Sequence, residues 1–149
     1  MQPDIFGALT RKSEVIAKLE ELAARNCLDE HQVGLARILR YRQNQSLVHA
    51  ALGYAAQIDK SSDILIAEVL NILVAPDLPI STRALAAGVL ARLICHRSSE
   101  MVSDFSLDFV IESMAHVYYR SESRVLKKAL LEALALVRGK AVRHEAGRR

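Results

Sequence analysis

The sequence predicts an all-α protein of about seven short antiparallel helices, arranged as an open stack rather than a closed bundle. Three observations carry this. Ala and Leu dominate, while only three prolines and six glycines occur in 149 residues, a composition that favours helix. Apolar residues recur at i, i+3 and i+4 through most of the chain, with no useful period-2 alternation. Finally, the central helices are apolar nearly all round while the first carries one apolar stripe, the pattern of a linear array with solvated ends.

Taken in order, the first helix spans about Arg11 to Arg25, with Val15, Ile16, Leu19, Leu22 and Ala23 on one stripe. Lys18, Glu20, Glu21 and Arg25 cover the other side. The second runs from about Glu30 to Arg42. Asp29 caps it, Gln32 completes a capping box, and Leu28 staples to Val33. After a break at 43–45 the third helix reaches about Ile58. A break at 59–62 leads to the fourth, about Asp63 to Ala75. Pro76-Asp77-Leu78-Pro79 is then the clearest loop, because each proline disfavours helix before it. The fifth helix covers about Thr82 to His96, capped by Ser81 and stapled by Ile80 to Leu85. Polar residues 97–104 precede the sixth, about Leu107 to Tyr119, capped by Ser106 with Phe105 stapling to Val110. The seventh follows Ser121 and ends near Gly139.

Weak internal repetition supports the stack. Ala50-Ala51 and Ala86-Ala87 are offset by 36 residues, as are Tyr54 and Leu90. A period of about 36 to 42 residues is that of a two-helix repeat. The run Thr82-Arg83-Ala84-Leu85-Ala86-Ala87-Gly88-Val89-Leu90-Ala91-Arg92-Leu93 resembles the second half of a HEAT repeat, with its Arg, Ala pair and spaced Leu. The resemblance is good over 63–95, modest over 28–58 and poor over 104–139. It implies a right-handed α-solenoid of roughly three HEAT-like (armadillo-like) helical pairs, and an inter-repeat structural role for Arg83. On this reading residues 1–139 form one helical-repeat domain, in which 11–25 is an N-terminal capping helix. Residues 28–58, 63–96 and 106–139 are the helical pairs, and 140–149 a flexible basic tail.

The chemistry-bearing residues suggest no catalyst. None of His31, His49, His96, His116 and His144 has a His, Asp, Glu or Cys partner at i+3 or i+4 in a pattern that would set two ligands on one helical face with a third elsewhere, and the adjacent Cys95 and His96 point about 100° apart. There is no Gly-rich phosphate loop after a strand and no nucleophile elbow. Adjacent acids such as Glu20-Glu21 and Asp29-Glu30 do not share a helical face. No enzyme activity, cofactor or metal is expected. The two separated cysteines, Cys27 and Cys95, favour a reducing compartment. The first seven residues, with Asp4, do not read as a signal peptide, and Ile64–Ala75 is too short to span a bilayer. A cytoplasmic protein without membrane association is expected.

Charge is the remaining clue. The formal net charge is +3, yet residues 120–149 hold nine Lys/Arg against three Glu, a balance of +6 that leaves −3 for the rest. Arg120, Arg124, Lys127, Lys128 and Arg138 form a basic stripe around Leu131, with Arg37 and Arg40 as a smaller pair on the second helix. Such a stripe suits an acidic, amphipathic partner helix or a phosphate backbone. The expected function is therefore a non-catalytic scaffold that offers a helical-repeat surface to a protein partner. Nucleic-acid binding through the basic C-terminal helix and tail is the alternative. A lone Tyr118-Tyr119 pair and no Trp give single-strand stacking little support. Monomer and homodimer are both open.

Overall fold

The computed structural model describes residues 6–96 and 107–146, with side chains as far as residue 139. Among the described residues the chain is helical without strands. The helices are α1 (Lys12–Ala24), α2 (Gln32–Arg40), α3 (Gln45–Ala55), α4 (Asp63–Val74), α5 (Ile80–His96), α6 (Leu107–Arg120) and α7 (Arg124–Ala146), with a 3-10 turn at Leu28–His31.

Helix starts follow from local chemistry. The Asn44 side chain accepts from the Leu47 N–H at 3.2 Å, and that of Ser62 accepts from the Leu65 N–H at 3.3 Å. Ser123 does the same for Leu126 at 3.2 Å. Each satisfies one of the donors that a helix N-terminus leaves orphaned.

The end of α1 is equally specific. Asn26 has φ of 56°; its N–H donates to the Ala23 carbonyl, and the Cys27 N–H donates to that of Leu22. This is a Schellman closure, with Asn in the left-handed position that glycine usually takes. Asn26→Val puts a β-branched side chain there and should cost about 1–2 kcal/mol. Asn26→Gly should be neutral or stabilising. Urea denaturation of the two variants checks the pair, and equal stabilities would contradict the assignment.

Three expectations are corrected. First, Asp29 and Gln32 do not form a capping box, and Val33, 62% exposed, does not staple to buried Leu28. The chain enters α2 through the 3-10 turn, and the two polar side chains reach across to the loop before α4. The Lys60 N–H donates to Asp29 Oδ2 at 3.2 Å. Gln32 Nε2 donates to the Lys60 carbonyl at 2.8 Å while its Oε1 accepts from the Ser62 N–H at 2.7 Å. The buried Ser61 hydroxyl completes the clamp by donating to the Leu93 carbonyl of α5. Loop backbone groups that would otherwise lack partners are thus met from thirty residues away.

Second, α5 begins at Ile80, so Ser81 is not its cap. Pro79 has no N–H to lose, and its carbonyl accepts from the Arg83 N–H, opening the helical ladder two residues early. Third, α7 continues as helix to Ala146, past the expected tail boundary at 140. The expected Ser106 cap and Phe105 staple, and the tail residues 147–149, lie outside the described residues.

The core is one continuous cluster from Phe6 to Val137. Its centre is α5, where Ala86, Ala87, Leu90, Ala91 and Leu93 are fully buried. The small Ala pair allows close helix approach, and α5 touches α3, α4 and α7. The remaining contacts have a regular order. α1 packs on α3, α2 on α4 and α4 on α6, while α2–α3, α4–α5 and α6–α7 pack as sequence neighbours. Arg92 Nε donates to the Ala56 carbonyl at 2.6 Å, tying α5 to the end of α3.

Candidate functional site

Two surfaces near the C-terminal end of the chain combine exposed apolar groups with cations. The first is the outer side of α7. Leu126, Leu130, Ala133, Leu134 and Val137 are buried against the rest of the molecule. That orientation turns Arg124, Lys128, Leu131, Ala135 and Arg138 outward, all exposed. Their spacing alternates four and three residues, the period along which a second helix packs. From Arg124 to Arg138 the seam spans about 21 Å of helix. Leu131 stands 53% exposed near its middle, and Val125 and Leu136, also exposed, lie on the flank beside Glu132. Among the described residues Arg124, Lys128 and Arg138 have no acidic partner within ion-pair distance.

Four of the eight sequence-predicted site residues therefore meet on this seam: Arg124, Lys128, Leu131 and Arg138. The other four are placed elsewhere. Lys127 is half-buried with its ammonium 5.3 Å from the Tyr118 ring centroid, a cation–π contact that turns it off the seam. Arg37 Nη2 donates to the Gly7 carbonyl at 2.8 Å, holding the N-terminal segment against α2. Arg40 pairs with Glu68 Oε1 of α4 at 3.6 Å. Both α2 arginines thus connect parts of the fold.

No family model, curated protein or solved structure matches the chain.

Arg120 ends α6 instead of joining α7, because the Ser121 N–H closes on the Val117 carbonyl and Ser123 starts a new helix. It opens onto the second surface, a groove of about 620 Å3 between α6 and the end of α4. Val74 and Pro76 form one wall, and Phe109, His116 and Arg120 stand along the α6 side. Arg83 reaches the groove from α5. Its Nε donates to the Leu73 carbonyl at 2.9 Å, which caps the end of α4 within the same helical pair. Burial lowers the Arg83 pKa, and the nearby Asp77 carboxylate only partly offsets this.

The sequence reading missed the groove because its residues come from three helices and share no motif. Its one local signal is the spacing of Phe109, Glu112, His116 and Arg120, which places them on one face of α6. Among the described residues no group of three or more His, Cys, Asp or Glu is disposed to hold a metal ion. His96 faces Asp59 at 3.9 Å, and neither cysteine is in a disulfide. No described helix is long and apolar enough to cross a membrane.

Proposed function

We propose that the chain is a non-catalytic interaction module, an α-solenoid of about three HEAT-like pairs, whose last helix receives an acidic amphipathic helix from a protein partner. The contact order supports the array: each helix packs on the one two places along, and α1 and α7 have their main contacts at opposite ends of the series.

The observation that carries the functional reading is the α7 seam. Leu131 and Ala135 sit where a docked helix would be closest, and Arg124 and Arg138 mark the two ends. Cations at positions facing a second helix repel a basic or purely apolar partner, since their desolvation would go uncompensated. A helix with Leu at matching spacing and Glu beside it satisfies both requirements.

A fluorescein-labelled peptide of that design, Glu-rich with Leu at alternating three- and four-residue spacing, tests this by anisotropy. Saturable binding is expected, and Leu131→Asp should weaken it at least about tenfold. The melting temperature of that variant should barely change, because the side chain is already exposed. Duplex DNA is the comparison ligand. Tighter binding to DNA, falling steeply with salt, would overturn the protein-partner reading in favour of a phosphate backbone.

A further inference from the structure

We infer that the groove between α6 and the end of α4 is a second binding site, for a short extended peptide carrying an apolar residue at one end and a carboxylate at the other. Its reach follows from α6. Phe109 and Arg120 lie eleven residues apart on one helical face, so their Cα atoms are separated by about 16 Å. An extended chain covers that distance in about five residues.

The two ends of the groove differ chemically. At one stands the aromatic ring of Phe109, a residue that is 56% exposed. At the other, Arg120 is exposed and has no acidic partner within ion-pair distance among the described residues. On the α4 side of the groove Arg83 adds a second guanidinium, fixed in place by its bond to the Leu73 carbonyl. Its partial burial makes its charge costly, and a carboxylate in the groove would relieve that cost. Among the described residues Glu112 is the only acidic one on the lining, and it lies between the two ends. It disfavours a ligand whose negative charge is spread along its whole length, such as a polyanion. An apolar residue against Phe109, followed by a terminal acid at Arg120, matches this polarity.

The site is distinct from the α7 seam, so the two can be tested separately in the same protein. The probe is an array of hexapeptides pairing Phe or Leu with Asp or Glu three to five residues apart, in both orders. Each stands beside its Asn or Gln counterpart. The tightest sequence is then titrated in solution with the intact chain and with Arg120→Glu, Phe109→Ala and the seam variant Arg124→Glu/Lys128→Glu. The acidic forms should bind at least tenfold tighter than their amides. Arg120→Glu should reduce affinity tenfold or more and Phe109→Ala several-fold, while the seam variant binds as the parent does. Circular dichroism melts verify that each variant is folded, and these side chains are exposed enough for that outcome. Equal binding of acids and amides would overturn the proposal, as would indifference to Arg120→Glu or loss of binding in the seam variant. Displacement of the peptide by millimolar inorganic phosphate would assign the groove to free anions instead.

Discussion

Leu90→Ala should lower the stability of the protein by about 3 kcal/mol, within the range of about 2–5 kcal/mol for buried Leu truncations. Leu90 is fully buried in α5, the helix that contacts α3, α4 and α7 together. The truncation leaves a void that none of these three neighbours can fill without leaving another, so relaxation is limited. For a chain of this length the expected fall in melting temperature is about 6–12 °C, at about 2–4 °C per kcal/mol. Leu136→Ala, on the outer flank of α7, removes the same atoms from a largely solvated position and should change stability by less than about 0.5 kcal/mol. Urea denaturation of both variants tests the burial pattern. A Leu90→Ala effect no greater than that of Leu136→Ala would mean that α5 is not the centre of the core.

Arg124→Glu with Lys128→Glu should abolish partner binding and leave folding intact. Each substitution exchanges an attraction for a repulsion at an interface that excludes water. Together they should cost about 3 kcal/mol of affinity, roughly a hundredfold. Neither side chain has an ionic partner among the described residues, so stability should move by no more than about 0.5 kcal/mol. If the seam meets an apolar-and-acidic helix, Leu131→Asp and the double reversal should both weaken binding, and salt should weaken it moderately. If it meets phosphates, the reversal should dominate and salt should have a far steeper effect.

These contrasts also show what the amino-acid pattern can encode. The existence and order of the seven helices follow from the 3.6-residue periodicity and the loop residues, because both are local properties. The apolar character of α4 and α5 likewise required neighbours on most sides, and the structure supplies them. The roles of individual polar residues were less accessible. Asp29 and Gln32 stand at capping-box spacing, yet Asp29 Oδ2 and Gln32 Oε1 accept from the Lys60 and Ser62 N–H groups, and Gln32 Nε2 donates to the Lys60 carbonyl as well as to that of Asp29. A local bond and a distant one compete for the same atoms, and only the assembled fold decides between them.

The candidate site divides in the same way. Arg124, Lys128, Leu131 and Arg138 were legible because one helix sets their relative angles. Arg120 was assigned to the same stripe by extending that helix backwards through 121–123, where Ser121 and Ser123 in fact end one helix and begin the next. Lys127 belonged to the right helix, but the Tyr118 ring that holds it comes from α6. Arg37 and Arg40 looked like a basic patch until the Gly7 carbonyl and Glu68 were placed opposite them. The groove needed α4, α5 and α6 together, and no pattern within any one of them announces it.

The most direct test of the α7 seam is affinity purification of the tagged chain from its native cell extract, in parallel with Arg124→Glu/Lys128→Glu. Both are treated with nuclease and compared by quantitative mass spectrometry. The expected result is a stoichiometric protein that survives nuclease on the parent chain and is lost from the variant. Equal recovery of every protein by both, or recovery of nucleic acid alone that washes off with salt, would contradict the assignment of the α7 seam to a protein partner.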